Sequence, residues 1–291
     1  MPTITQESRE AVVGKAIAEI SHIATLPEVT LRIIDLVEDP SSTAQDLNKL
    51  ITNDPALCSR ILKVVNSAFY GLPGQIGSIN RAIVLLGLNA VKNIAIATSL
   101  AKLFRGGELC PNFSARDLWI HSTAVAAASK ILADAASIGL SDEAFLAGLL
   151  HDVGIMVEMQ SGRHKLIEVF EQFDTARKPF ISVEDEVLGA NHQDFGRALC
   201  ERWKFPKSFG YVTGYHHRPL ELDAGSRTLT SVVYIADWLA KKAQIGFVAD
   251  VTTEQIETSI LDELRLTETE IENVEAQLPD AIDQVNSFLG G

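Results

Sequence analysis

Cysteine is scarce. Cys58, Cys110 and Cys200 are the only three, and no two of them form a Cys-x-x-Cys pair. That excludes a disulfide framework and a thiolate zinc site. Positive charge is also in deficit: 25 Lys and Arg stand against 38 Asp and Glu, a formal net charge of −13. Broad contact with nucleic-acid backbones or anionic membranes is therefore not expected, because both need cations to displace counterions. A local basic patch remains compatible with these totals. A long uncharged apolar run is missing too. The most apolar stretch, Ala82 to Phe104, is interrupted by Asn89, Lys92, Asn93 and Lys102, which is the pattern of buried helices and not of a membrane span. Met1 to Glu7 carry no basic segment leading into an apolar core. No signal peptide is expected, and the reading is of a cytoplasmic protein.

Strand-like alternation is scarce as well, and there is no internal repeat or low-complexity segment. What is there is helical periodicity. Val12, Val13, Ala16, Ile17 and Ile20 share one face, and Leu26-Pro27 opens a second helix. Asp46 to Ile51 and Ala56 to Asn66 follow, the latter behind the stop Asn53-Asp54-Pro55. Ser78 caps a helix closed by Gly87, and Asn89 to Phe104 forms the last helix of this half. Gly106 to Asn112 reads as a linker. Beyond it come an alanine-rich helix, Leu118 to Ala135, and one capped by Ser141 that runs through His151. Helices over Ile167–Phe173, Val183–Leu188, His192–Trp203, Phe209–His217 and Thr230–Ala243 complete the second half. After a break at Gly246 to Asp250, the tail has helices from Thr253 and from Thr267, with Thr267 and Glu270 as a capping box. The expectation is an all-α fold: a helical subdomain over 15–108, a second over 114–245, and a tail over 250–291.

The run Gly148-Leu149-Leu150-His151-Asp152-Val153-Gly154 places an ionisable pair in apolar surroundings. Burying it costs several kcal/mol unless charge or hydrogen bonds compensate, and a metal cation compensates directly. Other candidates lie on the expected helices: His121, His192, His216, His217 and Asp237, with Asp117 one turn before His121. Each has an ordinary explanation. A lone histidine on an apolar face is usually a satisfied core residue, Asp237 could bond locally, and His216-His217 could be a solvated helix end. Together they suggest shared cations, since separate partners for all of them are harder to supply. A donor set of nitrogen and oxygen suits iron, manganese, zinc or cobalt, and carboxylates can bridge two ions about 3.5–4 Å apart.

The order His121, His151-Asp152, Asp237 resembles the HD superfamily of metal-dependent phosphohydrolases. More specifically, the stretch from about Ile20 to Pro219 resembles an HDOD domain. The resemblance is carried by Leu26-Pro27-Glu28-Val29, Asn53-Asp54-Pro55-Ala56-Leu57, Val65-Asn66-Ser67-Ala68-Phe69-Tyr70-Gly71 and the run Ile76 to Gly87. It continues through Trp119-Ile120-His121-Ser122, Phe145 to Gly154, Asn191-His192 through Trp203, and His216-His217-Arg218-Pro219.

The resemblance implies an all-α HDOD region over 15–245, with an HD-like metal-binding core in its second subdomain. It implies a bacterial signalling or regulatory role with protein partners, and a phosphorylated small molecule as a candidate ligand. Many HDOD domains have lost the metal residues. This chain keeps His121, His151, Asp152 and Asp237, and also His192, His216 and His217 in the order that the related HD-GYP phosphodiesterases use for two metals. It departs from those enzymes at Ile155, where they carry lysine, and at Arg218-Pro219-Leu220-Glu221, where Gly-Tyr-Pro is absent. A missing lysine removes a cation that steadies phosphate. The leading expectation is a regulatory protein that holds one or two divalent ions, iron or manganese ahead of zinc or cobalt, with weak or no catalysis. The alternative is an active phosphohydrolase acting on nucleotides or cyclic dinucleotides. There Asp152 is the bridging carboxylate, and Lys130, Arg163, Lys165 or Arg218 is the phosphate clamp. The Asn66 to Pro73 turn is either a contact with the core or a partner, or simple punctuation between helices.

Overall fold

The computed structural model describes residues 5–20, 26–39, 41–101, 103–104, 108–110, 113–176, 178–249 and 255–289. The N-terminal helices are α1 (Gln6–Glu19), α2 (Glu28–Glu38), α3 (Ala44–Thr52), α4 (Pro55–Val65), α5 (Ile79–Leu86) and α6 (Leu88–Leu100). Their boundaries follow local chemistry. The Asp54 carboxylate accepts from Ala56 N and Leu57 N at 3.0 and 2.9 Å, and Pro55 takes the first helical position, where its missing N–H costs nothing. Ser78 accepts from Arg81 N, and Gly87, with φ at 92°, closes α5 and opens α6. Helix α6 is the buried rod of this half, covered by α2, α4 and α5. It ends at Leu100, short of the expected Phe104.

The expected linker folds differently. Within it lies β1 (Glu108–Cys110), which pairs antiparallel with β2 (Phe113–Ser114) just beyond it. Leu109 and Phe113 are buried, and Phe113 stacks on Phe170 at 4.8 Å. The ribbon is thus pinned by side-chain packing and not by a readable strand period. The all-α class holds.

The second half is built on α7 (Ala115–Ala135), whose run Ala124 to Ala128 is fully buried. Small side chains let α8 (Ser141–Leu150) approach closely. A Cβ at Gly148 would stand 2.8 Å from Val125 O and 2.9 Å from Ala126 Cα. Two expectations fail at α8. Its N-cap is Leu140 without a side-chain bond, and Ser141 Oγ donates instead to Asp134. The helix also does not run through His151. It stops at Leu150, and α9 (Val153–Ser161) restarts beyond His151-Asp152, so the pair occupies a break that the continuous apolar pattern conceals.

Next come α10 (Arg163–Ala176), α11 (Phe180–Leu188), α12 (His192–Arg202), α13 (Lys207–Tyr215) and α14 (Thr228–Lys242). Asn191 caps α12 with a reciprocal capping box to Asp194. Helices α9 and α12 touch backbone to backbone: a Cβ on Gly154 would fall 1.9 Å from His192 O. The tail holds α15 (Thr258–Leu264) and α16 (Glu268–Leu289); the expected helix start at Thr253 lies outside the described residues. The Thr267–Glu270 capping box is present, with Thr267 N donating to Glu270 Oε2 at 2.7 Å. Helix α16 packs on α7 and α4. The turn after α4 is a core contact: Phe69 lies against Phe145 and Phe288, while Asn66 bonds both backbone groups of Ile76.

Candidate metal centre

The fold brings all seven expected ligand residues together. His121 comes from α7, His151 and Asp152 from the α8–α9 break, and His192 from the first position of α12. His216 and His217 directly follow α13, and Asp237 lies in α14. All are buried except His217, whose side chain is 27 % exposed. Asp152 stands at the middle. Its Oδ2 lies 3.1 Å from His151 Nε2 and 3.8 Å from His121 Nε2, while Oδ1 lies 3.3 Å from His216 Nε2 and 3.8 Å from His192 Nε2. His192 Nε2 and His217 Nε2 are 3.1 Å apart. Two sets of donor atoms each fall within 4.8 Å: Asp152, His192, His216 and His217, and His121, His151 and Asp152. Asp152 belongs to both. Asp237 adjoins the second set, with Oδ1 3.1 Å from His121 Nε2 and 3.8 Å from His151 Nε2.

The outer ring nitrogens explain which way the imidazoles face. His151 Nδ1 donates to Gly148 O at 2.7 Å, His216 Nδ1 to Val212 O at 3.1 Å, and His121 Nδ1 to Ile245 O at 3.3 Å. A carbonyl only accepts, so each Nδ1 carries a proton and each ring turns its Nε2 inward. His192 Nδ1 is anchored by the Glu184 carboxyl, at 2.7 Å. Inside, the Nε2 atoms of His151 and His216 are buried without a hydrogen-bond partner. Lone pairs and carboxylates facing one another at these distances repel unless a proton or cation lies among them. A divalent ion fits this donor set, and the outer bonds are those that orient metal-binding histidines.

The protonation states agree. Burial drives His192 and His216 down to about 4 and His217 well below its ordinary value. Burial works against ionising Asp152, but the imidazoles of His151, His216 and His192 beside it outweigh that, holding the carboxyl well below the usual range. Burial also opposes charge on Asp237; Lys241 and His121 outweigh it in the same direction. His151 is opposed by burial and raised by Asp152. Three neutral imidazoles and two ionised carboxylates are the forms in which these groups bind cations.

Three further residues escape a sequence reading. Lys241 Nζ donates to Asp237 Oδ2 at 2.8 Å from a buried position. Its signal was the four-residue spacing from Asp237 on an apolar helix. Glu184 and Glu158 are fully buried behind His192, and burial pushes both carboxyls well up; nothing in their spacing marks them. Lys241 also lines the small space beside the centre, about 10 Å³, with Asp152, Ile155, His192, His217 and Phe247. None of the four suggested clamps lines it. Lys130 pairs with Asp142 at 3.3 Å, Arg218 with Glu221 at 3.6 Å, and Arg163 and Lys165 border a separate cavity. Asp117 is exposed, capped by Ser114, and stays outside the cluster. The strap after α14 closes the space. Gly246, at φ 69°, crosses α7 so tightly that a Cβ would lie 2.4 Å from His121 N, and Phe247 N donates to Asp117 O at 3.0 Å.

The HDOD domain family model matches residues 23–219. The chain belongs to the HDOD family. Among curated proteins it is similar to an uncharacterized protein of Treponema pallidum (strain Nichols), with 26% identity over 249 residues, covering 85% of this chain and 47% of that protein. The match thus spans about half the length of that relative. Among solved structures, an HDOD domain protein from Geobacter sulfurreducens has a TM-score of 0.83 at 22% identity, covering 98% of this chain and 99% of the other. A candidate phosphohydrolase from Shewanella amazonensis SB2B has a TM-score of 0.73 at 20% identity, covering 96% and 98%. A candidate signal transduction protein from Marinobacter aquaeolei VT8 has a TM-score of 0.76 at 22% identity, covering 98% of this chain and 65% of its own. At these identities the likeness is one of fold. Among the described residues no helix is long and apolar enough to cross a membrane.

Proposed function

We propose that this chain is a regulatory HDOD protein that holds one or two divalent ions, iron or manganese ahead of zinc or cobalt, and turns over little or no substrate. The ligands are His121, His151, Asp152, His192, His216, His217 and Asp237, with Asp152 shared between two ions. The observation that carries the reading is the set of imidazoles anchored at Nδ1, whose Nε2 atoms converge on Asp152 and leave those of His151 and His216 without partners. Bound ions supply Lewis acidity toward phosphate when a substrate can reach them. Here a space of about 10 Å³, walled by Ile155 and Phe247, admits a single water and no nucleotide, which supports the regulatory role over the catalytic one. In this reading residues 15–108 and 114–245 act together in the cytoplasm as a signalling unit for protein partners, with 250–291 as an added tail.

Metal analysis by plasma mass spectrometry tests it, on protein purified without an affinity-metal column. One or two equivalents of iron or manganese per chain are expected, falling to none in Asp152→Ala. A metal-free chain of unchanged stability after chelation overturns the proposal. Rapid hydrolysis of cyclic dinucleotides that Asp152→Ala abolishes selects the phosphohydrolase instead.

A further inference from the structure

Two of the suggested phosphate clamps, Arg163 and Lys165, are not idle in the structure. They border a cavity of about 390 Å³ between α1 and the junction of α9 with α10. Its rim gathers Lys15, Arg163, His164 and Lys165 against one carboxylate, Glu19, which lies 3.8 Å from Lys15 Nζ. This concentration of cations stands out in a chain of net charge −13. The inner wall is apolar, formed by Val12, Leu188 and Phe195.

We propose that this cavity binds a phosphorylated small molecule of nucleotide size, its phosphate on the basic rim and its apolar body against the inner wall. The volume lies within the range of small-molecule sites, about 300–1,000 Å³, and far above that of the space at the metal centre. A fork-shaped guanidinium with two ammonium groups suits phosphate oxygens, and α10 begins at the same wall with the positive end of its dipole. The rim has the wrong sign for a metal cation. The acidic surface elsewhere repels a long nucleic-acid backbone but not a compact anion.

The cavity adjoins Ser161 at the end of α9 remote from Asp152, so its occupancy can be tested apart from the metal proposal. Isothermal titration of the full chain in chelator, with adenine and guanine nucleoside mono- and triphosphates, removes any contribution from bound ions. Saturable binding of at least one nucleotide in the micromolar range is expected, with the unphosphorylated nucleoside bound at least about tenfold more weakly. Lys15→Gln and Lys165→Gln each weaken binding by about tenfold, while Lys130→Gln, outside the cavity, leaves it unchanged. Both lysines are on the exposed rim, and unchanged melting temperatures will show that the variants fold. No saturable binding of any nucleotide, or equal binding by the Lys15→Gln/Lys165→Gln double variant, overturns the proposal.

Discussion

The two halves of the molecule are buried by different means. In the described part of α1 to α6, the core is aliphatic, and the buried polar residues are Thr30, Lys92, Asn93, Thr98 and Ser99. From α7 to α14 the interior holds His121, His151, Asp152, Glu158, Glu184, His192, His216, Asp237 and Lys241. Removing apolar surface from water accounts for the first half. The same term operates in the second, where many more buried ionisable groups work against folding unless they are paired. In the second half the proposed ions would offset the charge that is buried there and, by binding only to the folded form, add to its stability.

The difference can be tested from both sides. Leu57→Ala, in the fully buried face of α4, should cost about 3 kcal/mol in denaturant unfolding and leave metal content per chain unchanged. Coupled loss of metal would show that the halves are not independent. A separate effect is expected from pH on the chelated protein. His192 and His216 fall to about 4 in the fold against roughly 6.5 when unfolded. Between those values the unfolded chain takes up protons that the folded chain refuses, so stability is full above about pH 6.5 and falls as pH drops toward 4. His151, raised in the fold, acts in the opposite sense and reduces the loss without cancelling two groups. Thermal melts in chelator across this range should show the decline, and a flat profile would contradict the buried neutral histidines. The smallest effect is expected at Glu184. Replacing it with alanine releases His192 Nδ1 and should weaken metal binding about tenfold, whereas Glu184→Gln keeps an acceptor and should restore most of it.

Much of the site was legible because histidine is rare here and its positions fall on helices that must be buried. His121, His151, Asp152, His192, His216, His217 and Asp237 meet in space as their order implied. The helix class and caps at Ser78 and Thr267 were readable from single residues, since each cap is a local bond. What failed was non-local. The break at His151-Asp152 lies inside an unbroken apolar run, so periodicity carried the helix through it. The ribbon at Glu108–Ser114 is too short to show a period. Lys241 reaches the centre through the packing of α14, while Arg163 and Lys165 lie beyond the far end of α9, and a linear sequence does not separate these cases.

The strap from Ile245 to Ala249 has a consequence in time. Its glycine lies against the backbone of α7, and Phe247 is wedged between Phe113, Phe170 and Phe180. In the proposed reading, lifting that wedge widens the way out for an ion held behind it, which ties the ion's departure to a local opening of the chain as well as to its own bonds.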